Sequence, residues 1–147
     1  NLAKEQLKER KQQFDEQIRI GIMIEIPAIA LIADLAAEEV DFASIGSNDL
    51  TQYLSAADRM NPEVAAYYKS DSTAMLRLLG FVFREFSKRE KEISVCGEMA
   101  GNPETAQLLV GLGARKLSMS SGNIAGVKAK LAECTLQELT TLAEKKL

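Results

Sequence analysis

The stretch Ser44-Ile45-Gly46-Ser47-Asn48-Asp49-Leu50-Thr51-Gln52-Tyr53 decides how the rest of this chain is read. It starts as the end of an apolar run, Val40-Asp41-Phe42-Ala43-Ser44-Ile45, passes through a glycine, and then presents an amide and a carboxylate side by side. That order reads as a buried strand reaching the mouth of a site, because chemistry in alternating β/α folds collects at the carboxyl ends of strands. Asn and Asp also cap helices well. From this stretch alone, Asn48-Asp49 is either the cap of the next helix or one wall of a site.

Working outward on the N-terminal side, residues 28–39 read as an Ala- and Leu-rich helix opened by Pro27, a residue suited to a first turn. Before it, the β-branched run 18–26 reads as a buried strand stopped by that proline. Residues 2–17 read as an amphipathic helix with Ala3, Leu7 and Phe14 on one side. On the C-terminal side, 50–57 predicts a short helical turn and Asp58-Arg59-Met60-Asn61-Pro62 a loop. A long helix runs to about residue 90 from N-cap candidates Asp71-Ser72-Thr73, with Leu76, Leu79, Val82, Phe83 and Phe86 inward. A third strand covers 92–96 and ends at Cys96-Gly97-Glu98-Met99-Ala100-Gly101. Asn102-Pro103 opens a helix that Gly111 and Gly113 close. A fourth strand lies at 116–120 and a turn at 121–123. Two helices follow, at 124–132 and 136–147, the second with a Thr135/Glu138 capping box.

Strands alternating with long helices predict a parallel sheet. A complete (β/α)8 barrel takes roughly 250 residues, so four β-α units in 147 residues make about half of one. A flavodoxin-like open sheet is the other architecture of this kind. The net charge of −3 argues against a general nucleic-acid binder. No apolar run is long enough for membrane insertion. Two cysteines, Cys96 and Cys134, are too few for a disulfide framework and fit a reduced, cytoplasmic setting. The sequence contains no histidine, so no imidazole can serve as ligand, base or phosphoryl acceptor within it. It opens on Asn1 rather than Met, the expectation being a piece of a longer protein.

Three strands thus end in reactive groups, at Glu25, Asn48-Asp49 and Cys96. Parallel strands carry their carboxyl ends to one face, so these residues are candidates for one site. Two carboxylates there suit Mg²⁺, with Mn²⁺ as the alternative, since such ions take oxygen ligands and keep positions open for a substrate. Arg59, in the loop just beyond, is a candidate phosphate clamp. Cys134 reads as inert, and Tyr67 and Tyr68 as packing residues.

Gly21-Ile22-Met23-Ile24-Glu25-Ile26-Pro27, the opening stretch, Ala57-Asp58-Arg59 and Cys96-Gly97-Glu98-Met99-Ala100-Gly101 resemble, in order and spacing, the PEP-binding domain of Enzyme I of the bacterial sugar phosphotransferase system, the phosphoenolpyruvate–protein phosphotransferases. Pyruvate phosphate dikinase and PEP synthase share the first two motifs. The resemblance implies the second half of a (β/α)8 barrel, with residues 1–147 as a partial, C-terminal PEP-binding barrel domain and no further domain. It implies that Glu25 and Asp49 hold Mg²⁺, that Asn48 and Asp49 orient PEP, that Arg59 binds its phosphate, and that Cys96 protonates the enolate to give pyruvate. The implied partners are a phosphohistidine domain that accepts the phosphoryl group, a small phosphocarrier protein and a second copy in a homodimer. The parent protein is then an enzyme serving sugar uptake, and the chain alone is inactive. A non-catalytic dimerisation module and a dikinase-like fragment are the alternatives. Lys69-Ser70-Asp71-Ser72-Thr73 replaces a family Asp-Pro…His-Pro segment, and Ile124-Ala125 a usual Ile-Pro, both away from the metal ligands. A half barrel is also expected to leave two edge strands and an apolar inner face open, and so to self-associate.

Overall fold

A computed structural model describes residues 2–147. Its centre is a four-stranded, all-parallel sheet in the order β1 (Gly21–Ile24), β2 (Phe42–Gly46), β3 (Glu92–Cys96) and β4 (Leu117–Ser118). Each strand lies beside its successor, with helices in every connection, and the sheet does not close. This is the arrangement half of a (β/α)8 barrel would have. The helices are α1 (Leu2–Glu9), α2 (Pro27–Leu31), α3 (Ala33–Glu39), α4 (Ser47–Ser55), α5 (Thr73–Lys88), α6 (Glu98–Gly101), α7 (Pro103–Leu112), α8 (Ser121–Ala132) and α9 (Leu136–Glu144), plus a 3₁₀ turn at Ala65–Tyr67.

The pairing register aligns Gly21 with Phe42 and Glu92, Met23 with Ser44 and Ser94, and Gly46 with Cys96 and Ser118. Because side chains alternate along a strand, the intervening residues Ile24, Ala43, Ile45 and Val95 share the other face. They are fully or almost fully buried, against Met75, Leu76, Leu79, Val82 and Phe86 of α5 and residues of the other helices. The core therefore sits between the sheet and its helices.

The inner face is more polar than expected, although Met23 and Phe42 share it. Along it run Ser44, Ser94, Cys96 and Ser118, with glycines at 21 and 46. At its lower end the Phe42 ring lies where a Gly21 Cβ would be, and Arg19 stacks 5.3 Å from the ring centroid. Glu92 pairs there with Lys116 and, at 3.7 Å, with Arg19. The exposed apolar surface gathers around β1 instead, at Ile18, Ile20, Met23, Leu31, Ile32 and Leu35.

Other boundaries shift for local reasons. The first helix stops at Glu9 because it buries no residue, and Lys11 turns left-handed with φ 54° just after it. The first strand begins only at Gly21. Asp41 takes the Ile20 N–H on its carboxylate at 2.7 Å and gives its own N–H to the Ile20 carbonyl, which ends the ladder. The 28–39 helix is two helices broken at Ile32, whose ψ of 33° is not helical. The 121–123 segment is the first turn of α8, N-capped by Ser120, and not a separate turn. Gly111 does not end α7. It is the contact point for α9, where a Cβ would stand 2.1 Å from the Leu139 carbonyl oxygen. Gly113, with φ 119°, is the C-cap. The Ser72 cap, the Asn102 cap and the Thr135/Glu138 capping box are as expected.

Candidate functional site at the carboxyl ends of the strands

The fold carries Glu25, Asn48-Asp49 and Cys96 to the ends of three adjacent strands. Glu25 follows β1 and faces Gly46, whose missing Cβ makes room for it. A Cβ at Gly46 would stand 3.0 Å from Glu25 Cβ and 3.1 Å from Glu25 Oε2. The Glu25 carboxylate thus lies across the end of β2.

Strand β2 passes directly into α4, so Asn48 and Asp49 fall in the first helical turn. The capping reading does not hold: Gly46 occupies the N-cap position and no side chain caps α4. Asn48 instead uses its side-chain oxygen to accept the Glu98 N–H at 3.0 Å. Among the described residues its amide N–H groups have no acceptor. Asp49 sits at the positive end of the helix, where a carboxylate is favoured, and meets Arg59 Nη1 at 3.5 Å. Both partners are about 40% exposed (39% and 42%), so the pair itself contributes little to stability and remains accessible to a ligand.

Cys96 ends β3. Its backbone carbonyl accepts from the buried Ser47 hydroxyl at 2.6 Å, and Thr51 donates to the Ser47 carbonyl at 2.7 Å, which locks the start of α4 onto the end of β3. The next residue, Gly97, has φ 101°, a left-handed conformation that suits glycine. A Cβ there would stand 2.5 Å from Ser47 Oγ and 2.8 Å from Asn48 Oδ1. Cys96, Gly97, Glu98 and Asn48 line a cleft of about 380 Å³ with Ser118 and Asn123. Glu25, Asp49 and Arg59 do not line that cleft, so Asn48 stands between a thiol-bearing side and a charged side.

Two contributors were missed in the sequence. Tyr68, read as a packing residue, donates its hydroxyl to the Asn48 carbonyl at 3.1 Å. Burial, followed by the negative charge of Glu98, pushes its phenol up from the ordinary tyrosine value, against the opposing pull of Arg59. Gln52 accepts the Arg59 N–H at 3.1 Å and ties the arginine loop to α4. Loop geometry determines both contacts, and neither residue type marks itself in a sequence. Cys134, as expected, lies away from the site, with Gln107 donating to its sulfur at 3.3 Å; both cysteines are free thiols.

No three His, Cys, Asp or Glu side chains cluster as metal ligands among the described residues. The donor set present is two hard carboxylates, Glu25 in the gap left by Gly46 and Asp49 at a helix start. That set fits a cation that takes its remaining oxygens from water and substrate.

An open parallel sheet with carboxylates, an amide, an arginine and a thiol at its strand ends defines an α/β domain of half-barrel type whose candidate site lies on the carboxyl face. Its family follows from comparison. The model of the PEP-utilising enzyme family, PEP-binding domain, matches residues 1–136, and the chain belongs to that family. It is similar to multiphosphoryl transfer protein 2 of Escherichia coli (strain K12), 44% identical over 140 residues that make up 95% of this chain and 17% of the relative. It is similar also to the phosphoenolpyruvate-protein phosphotransferase of Bacillus subtilis (strain 168), 42% identical over 142 residues, 97% of this chain and 25% of the relative. A third relative is a multiphosphoryl transfer protein of Xanthomonas campestris, 47% identical over 131 residues, 89% of this chain and 16% of the relative. The chain thus spans a quarter or less of each.

Proposed function

We propose that residues 1–147 are a partial barrel domain forming the PEP-binding and metal-binding part of a phosphoenolpyruvate–protein phosphotransferase that serves sugar uptake in the cytoplasm. The observation that carries this reading is the convergence of Glu25, Asn48-Asp49 and Cys96 on three neighbouring strand ends, with Arg59 paired to Asp49. The names of the relatives support it over a dikinase or a purely structural module.

Glu25 and Asp49 hold Mg²⁺, or Mn²⁺ in its place. The ion supplies charge neutralisation for the phosphate and carboxylate of PEP. Asn48 orients PEP with the amide N–H groups left over from its bond to Glu98. Arg59 binds the phosphate and offsets charge during transfer, the general logic of phosphoryl transfer. The P–O bond of PEP breaks, a P–N bond forms to a histidine, and the enolate of pyruvate remains. Cys96 gives its thiol proton to the methylene carbon, leaving pyruvate and a thiolate. The acceptor histidine belongs to a phosphohistidine domain, since this sequence has none, and passes the group to a small phosphocarrier protein. The apolar surface around β1 favours a homodimer. The acidic net charge fits no nucleic-acid role, and no helix is long and apolar enough to cross a membrane among the described residues.

Calorimetric titration of the chain with PEP and Mg²⁺ tests the site. Wild type is expected to bind and Asp49→Ala to lose binding, and a wild type that binds no PEP overturns the proposal. Incubation with radiolabelled PEP is expected to leave no stable label on the chain.

A further inference from the structure

The inner face of the sheet carries a run of hydroxyls that leads to Cys96. Register pairing sets Ser44 of β2 opposite Ser94 of β3, and Cys96 is the next residue on the same face of β3. The Ser94 hydroxyl donates to Ser44 Oγ at 3.0 Å. The Ser44 hydroxyl donates to Cys96 Sγ at 3.8 Å, a long contact of the kind sulfur accepts, and the Cys96 thiol donates to the Ile45 carbonyl at 3.3 Å. Every donor in this chain of four points the same way, and aligned hydrogen bonds polarise one another.

We propose that Ser44 is a positioning residue for Cys96: ordered by Ser94, its hydroxyl stabilises the thiolate that remains when Cys96 gives up its proton. This rests on Cys96 being the acid of the proposed function. The two ends of the chain serve opposite forms of the sulfur. The Ile45 carbonyl accepts from the thiol of the resting acid. The serine pair offers a donor to the sulfur once the S–H bond has broken, the C–H bond has formed and the electron pair stays on sulfur. A proton taken up from solvent, which reaches Cys96 through the cleft it lines, then restores the thiol. A hydrogen bond to the charged form of a group favours that form, so the serines lower the free energy of the product of proton transfer.

The other polar and charged groups around Cys96 are not themselves altered by substituting Ser44. Glu98 lines the same cleft, and Asn123 of α8 and Ser118 of β4 are uncharged. Glu25 lies beside Gly46, the β2 partner of Cys96. Asp49 and Arg59 pair with each other beyond Asn48, next to Tyr68, and Glu92 pairs with Lys116 and Arg19 at the lower end of the face.

The test is the pH profile of Cys96 alkylation by iodoacetamide, in a Cys134→Ser background and without PEP, because only the thiolate reacts. Ser44→Ala is expected to move the profile to higher pH and to slow alkylation below its midpoint by roughly two- to tenfold, the worth of one hydrogen bond. Ser44→Thr, which keeps the hydroxyl, is expected to retain the wild-type profile, and Ser94→Ala to shift it the same way by less. An unchanged profile in Ser44→Ala, or an equal shift in Ser44→Thr, overturns the proposal. If circular dichroism shows that Ser44→Ala does not fold, Ser94→Ala decides alone: a shift supports and no shift overturns. Since no PEP is present, failure of the PEP titration would remove the proposed function and leave the thiol result readable.

Discussion

The Tyr68 hydroxyl donates to the Asn48 main-chain carbonyl at 3.1 Å, joining the loop after α4 to the residue on which the candidate site turns. Tyr68→Phe removes that donor and leaves the ring. The expected cost is about 1 kcal/mol of stability in urea unfolding, together with weaker PEP binding as the loop bearing Arg59 loosens. Wild-type affinity and stability in this variant would show that the contact is incidental.

Gly97→Ala adds a Cβ into space held by Ser47 Oγ and Asn48 Oδ1 and fixes an alanine at φ 101°. Strain of this kind costs on the order of 1–3 kcal/mol. Relief requires moving the Ser47 hydroxyl off the Cys96 carbonyl or the Asn48 amide off the Glu98 N–H. A lower melting temperature and loss of PEP binding are expected together. A variant as stable as wild type with full binding speaks against this account.

Gly46→Ala affects one proposed metal ligand and spares the core. Its Cβ would press on Glu25 Cβ and Oε2 and on Met23 Sδ, side-chain contacts relieved by shifts of a few tenths of an ångström, so the fold survives. Binding of Mn²⁺, followed by electron paramagnetic resonance, is expected to weaken by roughly tenfold or more, as when a ligand's support is removed. Unaltered Mn²⁺ affinity would remove Glu25 from the ligand set.

Acid should unfold the chain through three carboxylates. The Lys88 ammonium, bonded to buried Glu85 at 2.8 Å, holds that carboxyl below the ordinary glutamate value, with Arg89 assisting. Lys116 does the same for Glu92, and the Thr135 backbone N–H for Glu138. A carboxyl depressed in the folded state contributes stability above its unfolded value, about pH 4.3, and loses that contribution as pH falls through the folded value. Urea midpoints are expected to be flat near neutrality and to drop below about pH 4.3, with a shallower drop in Glu85→Gln. An identical acid limb in that variant would dismiss Glu85 as a contributor.

The parts of this structure that were legible in the sequence are those set by short-range pattern. Ser72, Asn102 and Thr135 mark helix starts because their side chains bond backbone N–H groups two or three residues on. The β3 strand 92–96 and the inward side chains of α5 follow from period alone. What failed depends on residues far apart in the chain. Asp41, from across the ladder, delays the start of β1, and α9 occupies the space that Gly111 leaves. The polarity of the inner face was readable in principle from Ser44, Ser94, Cys96 and Ser118, but only once register had placed them side by side. Asn48 stood out as a site candidate for its position after a strand, yet its bonds to Glu98 and Tyr68 come from other segments.

The strand order β1-β2-β3-β4 repeats the order of the chain. Each strand pairs with its immediate predecessor in the chain across a helical connection. Such crossovers make parallel pairing slower to form than a hairpin. Such a sheet can grow by accretion as the polypeptide leaves the ribosome, one β-α unit at a time. The serines and glycines of the inner wall tolerate water throughout that growth. The β1 edge, with Ile20 and Met23 exposed, is the part of the sheet left in want of cover.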